Sequence, residues 1–279
     1  MINRIHGVDV SGWEGNVDWS LARSMIGFAY FKCTEGTSGI DRSFAANKKG
    51  CEDAGIPHAP YHYFHPDLDA ELQAQHFISH AGDHFKRYIL DIEKAPITKK
   101  QLQINIIKFL DKVQTLTQGK CAIYTSAGYW DTWCNTPYPT WCKHYDLLVA
   151  HYTIDNHPML PIGWINWRIW QFTDHFWFPG CAETADGNWF EGDLNSCRSW
   201  FGNYKEIDPQ VYVNTRARSL FPDLHIRQLP STLLREIGHL SKGEIVELSD
   251  LCGNDVWIKH NRGWSCVEHD GYRYMEVLK

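Results

Sequence analysis

Two acids separated by one residue close an apolar run in this sequence, Tyr88-Ile89-Leu90-Asp91-Ile92-Glu93. The run reads as a buried parallel strand, and because side chains alternate across a strand, Asp91 and Glu93 face the same way. At ~3.3 Å rise per residue their Cα atoms lie about 6.6 Å apart, so both carboxyls can reach one glycosidic bond. Two carboxyls this close cannot both ionise cheaply. Their proton affinities separate, and one residue type supplies both an acid and a base. A solvated pair of acids at a strand end is the plain alternative, so the chemistry depends on what else the fold brings to the same place.

The surrounding pattern alternates strand and helix. Strands are expected at residues 5–10, 27–34, 58–64, 88–93, 122–125, 147–150, 168–172 and, briefly, 192–194. Helices are expected at 18–24, 42–54 closed by Gly55, 69–83, 98–117 and 196–201. Eight strands alternating mostly with helices predict an α/β fold, a closed or nearly closed TIM-like β/α barrel. Chemistry in such barrels sits at the C-terminal strand ends, where this reading puts Asp9, Glu35, Asp91, Glu93 and Asp193. Converging carboxylates repel one another unless they bind something. A calcium or magnesium ion is the main rival explanation for such a ring.

Composition narrows the partners. A net charge of −6 with no Lys/Arg run lacks the clustered basic footprint of a nucleic-acid surface. Thirteen Trp and thirteen Tyr offer flat faces that suit sugar rings, although most are expected simply to fill the core. His76, His80 and His84 follow one another at helical spacing, but Ala74, Phe77, Ile78, Ala81 and Phe85 define the buried face and leave the histidines as a solvated stripe instead of a metal site. Nine Cys without a CxxC pair or zinc spacing read as mostly reduced and buried. Cys134 with Cys142, Cys181 with Cys197, and Cys252 with Cys266 stay open as pairs should the protein act outside a cell. The first residues form no apolar leader and no stretch is long enough to span a membrane, so the expectation is synthesis in a cytoplasm without a signal peptide and without membrane insertion.

Seven motifs in order then resemble glycoside hydrolase family 25, the Chalaropsis-type lysozymes that include many phage endolysins. They are Gly7-Val8-Asp9-Val10-Ser11, Phe31-Lys32-Cys33-Thr34-Glu35-Gly36, Tyr61-His62-Tyr63-Phe64, Leu90-Asp91-Ile92-Glu93, Ala122-Ile123-Tyr124-Thr125, Trp170-Gln171-Phe172-Thr173-Asp174 and Gly192-Asp193-Leu194-Asn195. The resemblance spans roughly residues 4–201. It implies cleavage of the β-1,4 bond between N-acetylmuramic acid and N-acetylglucosamine in peptidoglycan, with no cofactor and no metal. Glu93 then corresponds to the proton donor. Asp91 resembles the nucleophile, or the group that orients the substrate's acetamido oxygen, and Asp9 and Asp193 resemble flanking acids. Glu35, Tyr61, Tyr63, Tyr124, Tyr152 and Gln171 resemble residues of the sugar groove. The aromatic-rich loop 174–191 and Pro60 depart from the pattern.

From about residue 210 the texture changes to short strands at regular spacing, expected at 211–213, 224–229, 243–248, 255–260, 263–267 and 274–277. Asn214-Thr215-Arg216-Ala217-Arg218, Gly243-Glu244-Ile245-Val246 and Asp255-Val256-Trp257-Ile258-Lys259 resemble bacterial Src-homology-3-like wall-binding domains, which implies a small all-β barrel. The expected organisation is a catalytic domain at 1–203, a polar linker at 203–209 and a wall-binding domain at 210–279, acting as a monomer. The expected setting is a phage endolysin, with a secreted bacterial lysozyme as the other possibility. Rival functions are a non-catalytic peptidoglycan-binding protein and a metal-dependent amidase that uses the histidines.

Overall fold

Runs such as Gly7-Val8-Asp9-Val10 and Arg87-Tyr88-Ile89-Leu90-Asp91 are buried on both faces, as strands must be when helices cover one side and barrel side chains the other. In the computed structural model, residues 4–23, 25–96, 98–203, 216–220, 222–227, 236–252, 256–269 and 272–278 are described. They fall into two units, one of residues 1–17 and 26–205 and the other of residues 18–25 and 206–279.

In chain order the first unit holds β1 (Arg4–Val10), β2 (Phe28–Glu35), β3 (Gly39–Ile40), α2 (Phe44–Ala54), β4 (His58–Tyr63), α3 (Ala70–Ala81), β5 (Arg87–Asp91), α4 (Lys99–Leu116), β6 (Lys120–Ser126), α5 (Ala127–Trp133), β7 (Asp146–Ala150), β8 (Ile169–Phe176), β9 (Ala185–Glu191) and α6 (Leu194–Phe201), while the short helix α1 (Trp19–Ala22) belongs to the other unit. The strands run in the order β1-β9-β8-β7-β6-β5-β4-β2-β3, and β1 also pairs with β2, which closes an eight-stranded ring with β3 as an outlying hairpin arm. Helix ends follow local chemistry. Asp69 caps α3 by accepting from the Leu72 amide at 2.9 Å, and Gly55 ends α2 in the left-handed conformation at φ 65°.

The eighth barrel strand differs from expectation. It is β9, not residues 192–194, and it runs antiparallel to both β8 and β1. Its sequence, Ala185-Asp186-Gly187-Asn188-Trp189-Phe190-Glu191, contains an Asp-Gly pair that signals a turn. Ladders on both sides override that local preference.

Inside the ring, Tyr30, Ala59, Ile89, Ala122, Leu148 and Ile169 interdigitate, and at the lower end Phe28 and Phe190 meet Trp200 and Phe201 of α6. The Phe28 and Phe201 rings stack with centroids 5.4 Å apart. Gly7 makes this possible, because a Cβ there would lie 2.4 Å from the Phe28 ring. Gly7→Ala should therefore destabilise the barrel by about 1–3 kcal/mol, the usual cost of overpacking. Urea unfolding checks this, and an unchanged midpoint would show that the ring can move aside.

No helix lies between β8 and β9. Instead, outward side chains of β1, β8 and β9 cover one another: His6 meets Trp189 at 3.9 Å and Phe176 at 5.4 Å, and Phe172 meets Trp189 at 5.0 Å. Arg4 lays its guanidinium over Trp167 and Trp170 at 5.1 and 5.3 Å. Burial lowers His6 to about 3, so it stays neutral in this aromatic layer. Part of the aromatic wealth of the sequence, including the departing stretch 174–191, which is the end of β8, a loop and β9 and not one loop, thus replaces a missing outer helix. Among the histidines of α3, His76 is half-buried and its Nε2 lies 2.8 Å from the Gly39 carbonyl, which ties β3 to the helix. It is a structural tether, which the reading of a solvated stripe did not foresee. Cys134, Cys142, Cys181 and Cys197 are buried without disulfides, and the Cys252 side chain lies outside the described residues.

The second unit holds β10 (Arg216–Ser219), β11 (Leu224–Arg227), β12 (Glu236–Leu240), β13 (Ile245–Cys252), β14 (Val256–His260), β15 (Gly263–His269), β16 (Tyr272–Arg273) and β17 (Met275–Leu278). They pair antiparallel in the order β12-β11-β15-β14-β13-β10-β17, with β16 on β15. Ala217, Ile226, Leu240, Val246 and Met275 are buried in it. The expected strand at 211–213 and the linker at 204–209 lie outside the described residues.

Candidate active site

The polar floor of the barrel mouth begins with β1, whose inward face carries Ile5, Gly7 and finally Asp9. Asp9 stands opposite Tyr30 of β2 on one side and Asp186 of β9 on the other. β5 ends at Asp91, but the ladder continues: the Ile92 amide donates to the Tyr124 carbonyl at 2.9 Å and Thr125 Oγ1 donates to the Ile92 carbonyl at 2.8 Å. Ile92, 1 % exposed, is thereby locked outward, and Glu93 returns to the side of Asp91. Asp9, Asp91, Glu93 and Asp186 line one pocket of about 160 Å³, walled by Tyr61, Tyr124 and Tyr152.

Gln171 of β8 organises the floor. Its Nε2 donates to Asp9 Oδ2 at 3.0 Å and to Asp186 Oδ2 at 2.9 Å, while its Oε1 accepts from the Tyr124 and Tyr152 hydroxyls at 2.8 and 2.9 Å. Asn188 Nδ2 also donates to Asp9 Oδ2 at 2.6 Å, and Asn188 in turn accepts from the Tyr30 hydroxyl at 2.8 Å. Every polar atom of the Gln171 amide is used, so its orientation is fixed and with it the spacing of the two acids.

All four carboxyls hold protons more tightly than usual. Burial raises Asp9 to about 6 against the opposing hydrogen bonds of Gln171, Asn188 and Tyr30. Burial, then the charge of Asp9, raises Asp186 to about 8. Asp91 is pushed well above the carboxylate range by burial and by Glu93 and Asp9, and its Oδ1 finds no hydrogen-bond partner although it is buried. Glu93 stands at the solvent-open rim, yet the protein crowded round it still raises its carboxyl, with the Lys32 ammonium pulling the other way. At neutral pH Asp186, raised to about 8, keeps its proton beside Asp9, which at about 6 is ionised.

Other sequence candidates fall nearby or elsewhere. Tyr63 lies under the Lys32 ammonium, 4.8 Å from its ring centroid. Glu35 is held by Lys32 Nζ at 2.6 Å and His65 Nε2 at 2.9 Å; these bonds outweigh its burial and lower its pKa. It lines an adjoining cleft of about 320 Å³ with the exposed Trp13 and Arg42, not the acid pocket. Asp193, like Glu35, does not line the acid pocket. It caps α6, accepting from the Ser196 amide at 2.7 Å, beyond the end of β9 that meets Phe28 and Phe201. The physical reason is strand direction: on an antiparallel strand the residue at the barrel mouth is the first, not the last. Asp186 occupies that position, and the sequence reading missed it together with Asn188 and Tyr30. The alternation Asp186-x-Asn188 was the available signal, masked by the intervening glycine.

A raised acid has a definite sign in the stability profile. Asp186 free in the unfolded chain ionises near its ordinary 3.8, whereas in the fold it keeps its proton to about 8. Its contribution is fully present below pH 4 and is lost as pH rises to about 8. Asp186→Asn should therefore raise the melting temperature relative to the native chain more at pH 8 than at pH 4. An equal shift at both pH values would remove the buried-acid interpretation.

Residues 8–181 match the model of the family described as Glycosyl hydrolases family 25. The chain is 31% identical over 202 residues to Lysozyme M1 of Streptomyces globisporus, covering 67% of this chain and 68% of that protein. It is 26% identical over 196 residues to the N,O-diacetylmuramidase of Arthroderma benhamiae, covering 66% and 83% respectively. Among solved structures, the bacterial lysozyme from Streptomyces coelicolor superposes with a TM-score of 0.67 at 29% identity, covering 71% of this chain and 97% of that one. The match runs from the end of β1 through β8 into the loop before β9, the stretch that carries Asp9, Asp91 and Glu93 but not Asp186, and the chain belongs to glycosyl hydrolase family 25.

Proposed function

We propose that this enzyme is an N-acetylmuramidase that hydrolyses the β-1,4 bond between N-acetylmuramic acid and N-acetylglucosamine in bacterial peptidoglycan. The observation that carries the reading is the pocket itself: paired Asp91 and Glu93 beside Asp9 and Asp186, with tyrosines on the walls. The names of the relatives, lysozyme and N,O-diacetylmuramidase, support the substrate class. In this reading Glu93 gives its proton to the glycosidic oxygen as the bond from C1 to that oxygen breaks. Asp91, whose Oδ1 faces no protein donor, either attacks C1 or steadies the substrate's acetamido oxygen as it does so. Water then supplies the hydroxyl at C1 and returns the proton to Glu93. Asp9 and Asp186, bridged by Gln171, hold the sugar and the developing positive charge, and Tyr61, Tyr63, Tyr124 and Tyr152 shape the groove. No step in this scheme needs a metal or cofactor.

Digestion of purified peptidoglycan tests the assignment. Borohydride reduction of the products should convert N-acetylmuramic acid to its alditol, and the rate should survive a chelator. Reduced glucosamine as the main product would reassign the bond. New amino groups without new reducing ends, or chelator inhibition that added metal reverses, would favour an amidase. The second unit is proposed as the wall-binding part of a monomer acting on the bacterial wall, supported by its short antiparallel strands. A chain ending at residue 205 should then cleave soluble fragments yet sediment less with intact walls, and equal sedimentation would remove that role. No described helix is long and apolar enough to cross a membrane.

A further inference from the structure

The β11–β12 hairpin places His225 directly opposite His239. One residue along, Ile226 pairs with Gly238, and then the register slips so that Arg227 pairs with Glu236 and Ile237 is left over. Residues three apart on a regular strand face opposite ways, but a bulge that takes one residue out of the alternation restores the same face. Glu236 therefore joins the two imidazoles. Its Oε2 lies 3.1 Å from His225 Nδ1 and its Oε1 lies 2.6 Å from His239 Nε2, and the ring centroids are 5.1 Å apart. Among the described residues, this is the group of histidine, cysteine and acidic side chains that brings three ligand atoms within 4.8 Å of one another.

We propose that His225, Glu236 and His239 form a binding site for a divalent transition-metal ion of the zinc class, which staples the β11–β12 hairpin. Metal–ligand bonds of about 2.0–2.2 Å in a tetrahedron need donor atoms roughly 3.3 Å apart, and the two Glu236 oxygens lie 3.1 Å from His225 Nδ1 and 2.6 Å from His239 Nε2. One donor atom from each residue lies within 4.8 Å of the others, so side-chain rotation suffices to gather the three round one ion, and cross-strand pairing fixes the backbone beneath them. Two nitrogen donors with one carboxylate select zinc, nickel or copper over calcium or magnesium, which take oxygen ligands. All three side chains are exposed, so the fourth position faces solvent. Among the described side chains, the Arg262 guanidinium, donating to the His239 carbonyl at 2.7 Å, is a nearby positive charge, and its partner Glu244 offsets it. The site does not depend on the muramidase reading, since none of its residues belongs to the acid pocket.

The test uses the untagged full chain, titrated with zinc chloride in a calorimeter and, separately, with cobalt(II) followed by visible absorption. The native chain should bind one more zinc per chain than His225→Ala or His239→Ala, and Glu236→Gln should weaken binding by more than the roughly 10- to 100-fold that loss of an outer partner produces. Cobalt(II) should give the intense visible bands of a tetrahedral ion, absent from both histidine variants. Because the nine cysteines can bind zinc elsewhere, the difference between chains is the readout. Equal stoichiometry and affinity in native and variant chains, with circular dichroism showing all of them folded, would overturn the site. So would octahedral cobalt spectra that the substitutions leave unchanged.

Discussion

Glu93→Gln should reduce peptidoglycan hydrolysis by roughly 10²- to 10⁴-fold, the usual contribution of a positioned general acid. The amide keeps the shape and hydrogen-bonding reach of the side chain but has no proton to give to the leaving oxygen. Glu93 stands at the rim, and the strand beneath it is held by Ile92 and Thr125. The variant should therefore fold normally, with an unchanged circular dichroism spectrum and binding of glycan fragments within a few-fold of native. The loss should fall on the turnover number. Native turnover in a folded Glu93→Gln chain would move the proton donor to Asp91, Asp186 or Asp9, the other carboxyls with raised proton affinity.

The second large effect concerns Gln171, which touches no reacting bond in the proposed scheme. Gln171→Leu removes the donor shared by Asp9 and Asp186 and the acceptor shared by Tyr124 and Tyr152, in a position 1 % exposed. Each polar group left buried without a partner costs about 1–3 kcal/mol. Gln171→Glu should be worse at neutral pH, because it sets a further acid between two that already repel. Urea unfolding at pH 7 should rank native above Leu above Glu, and lowering the pH to 4 should narrow the gap between the variants as the acids take up protons. A Glu variant as stable as the Leu variant at pH 7 would mean that the amide does not govern the charge balance of the floor.

The seven parallel strands of the barrel were legible because their signals are local. Asp91 follows three apolar residues and Glu93 a fourth, Asp9 precedes Ser11-Gly12, and Gly55 marks the end of α2. Tyr61, Tyr124 and Tyr152 were placed by motif and do line the acid pocket. What could not be read was strand direction. Nothing within Ala185-Asp186-Gly187-Asn188 distinguishes a loop from a strand clamped between two neighbours, because the stabilising bonds come from residues far away in sequence. The error over Asp193 follows directly, since the rule that placed it assumes a parallel strand. The histidine cluster of β11 and β12 was equally hidden, because it depends on a one-residue slip in pairing that no periodicity displays.

Closure of the ring has a consequence for when the enzyme becomes active. Asp9 lies near the start of the chain, yet the Asn188 amide that holds it is 179 residues away, and β1 finds one of its two neighbours only in β9. Contacts between such distant residues form late, because loop closure must be completed before they are rewarded. On a ribosome the first strand emerges long before its partner, so a partly synthesised chain can hold Asp91 and Glu93 in place while the floor beneath them is still missing. The expectation is that the pocket is completed only with the last barrel strand, and that a chain cut before β9 has no hydrolytic activity.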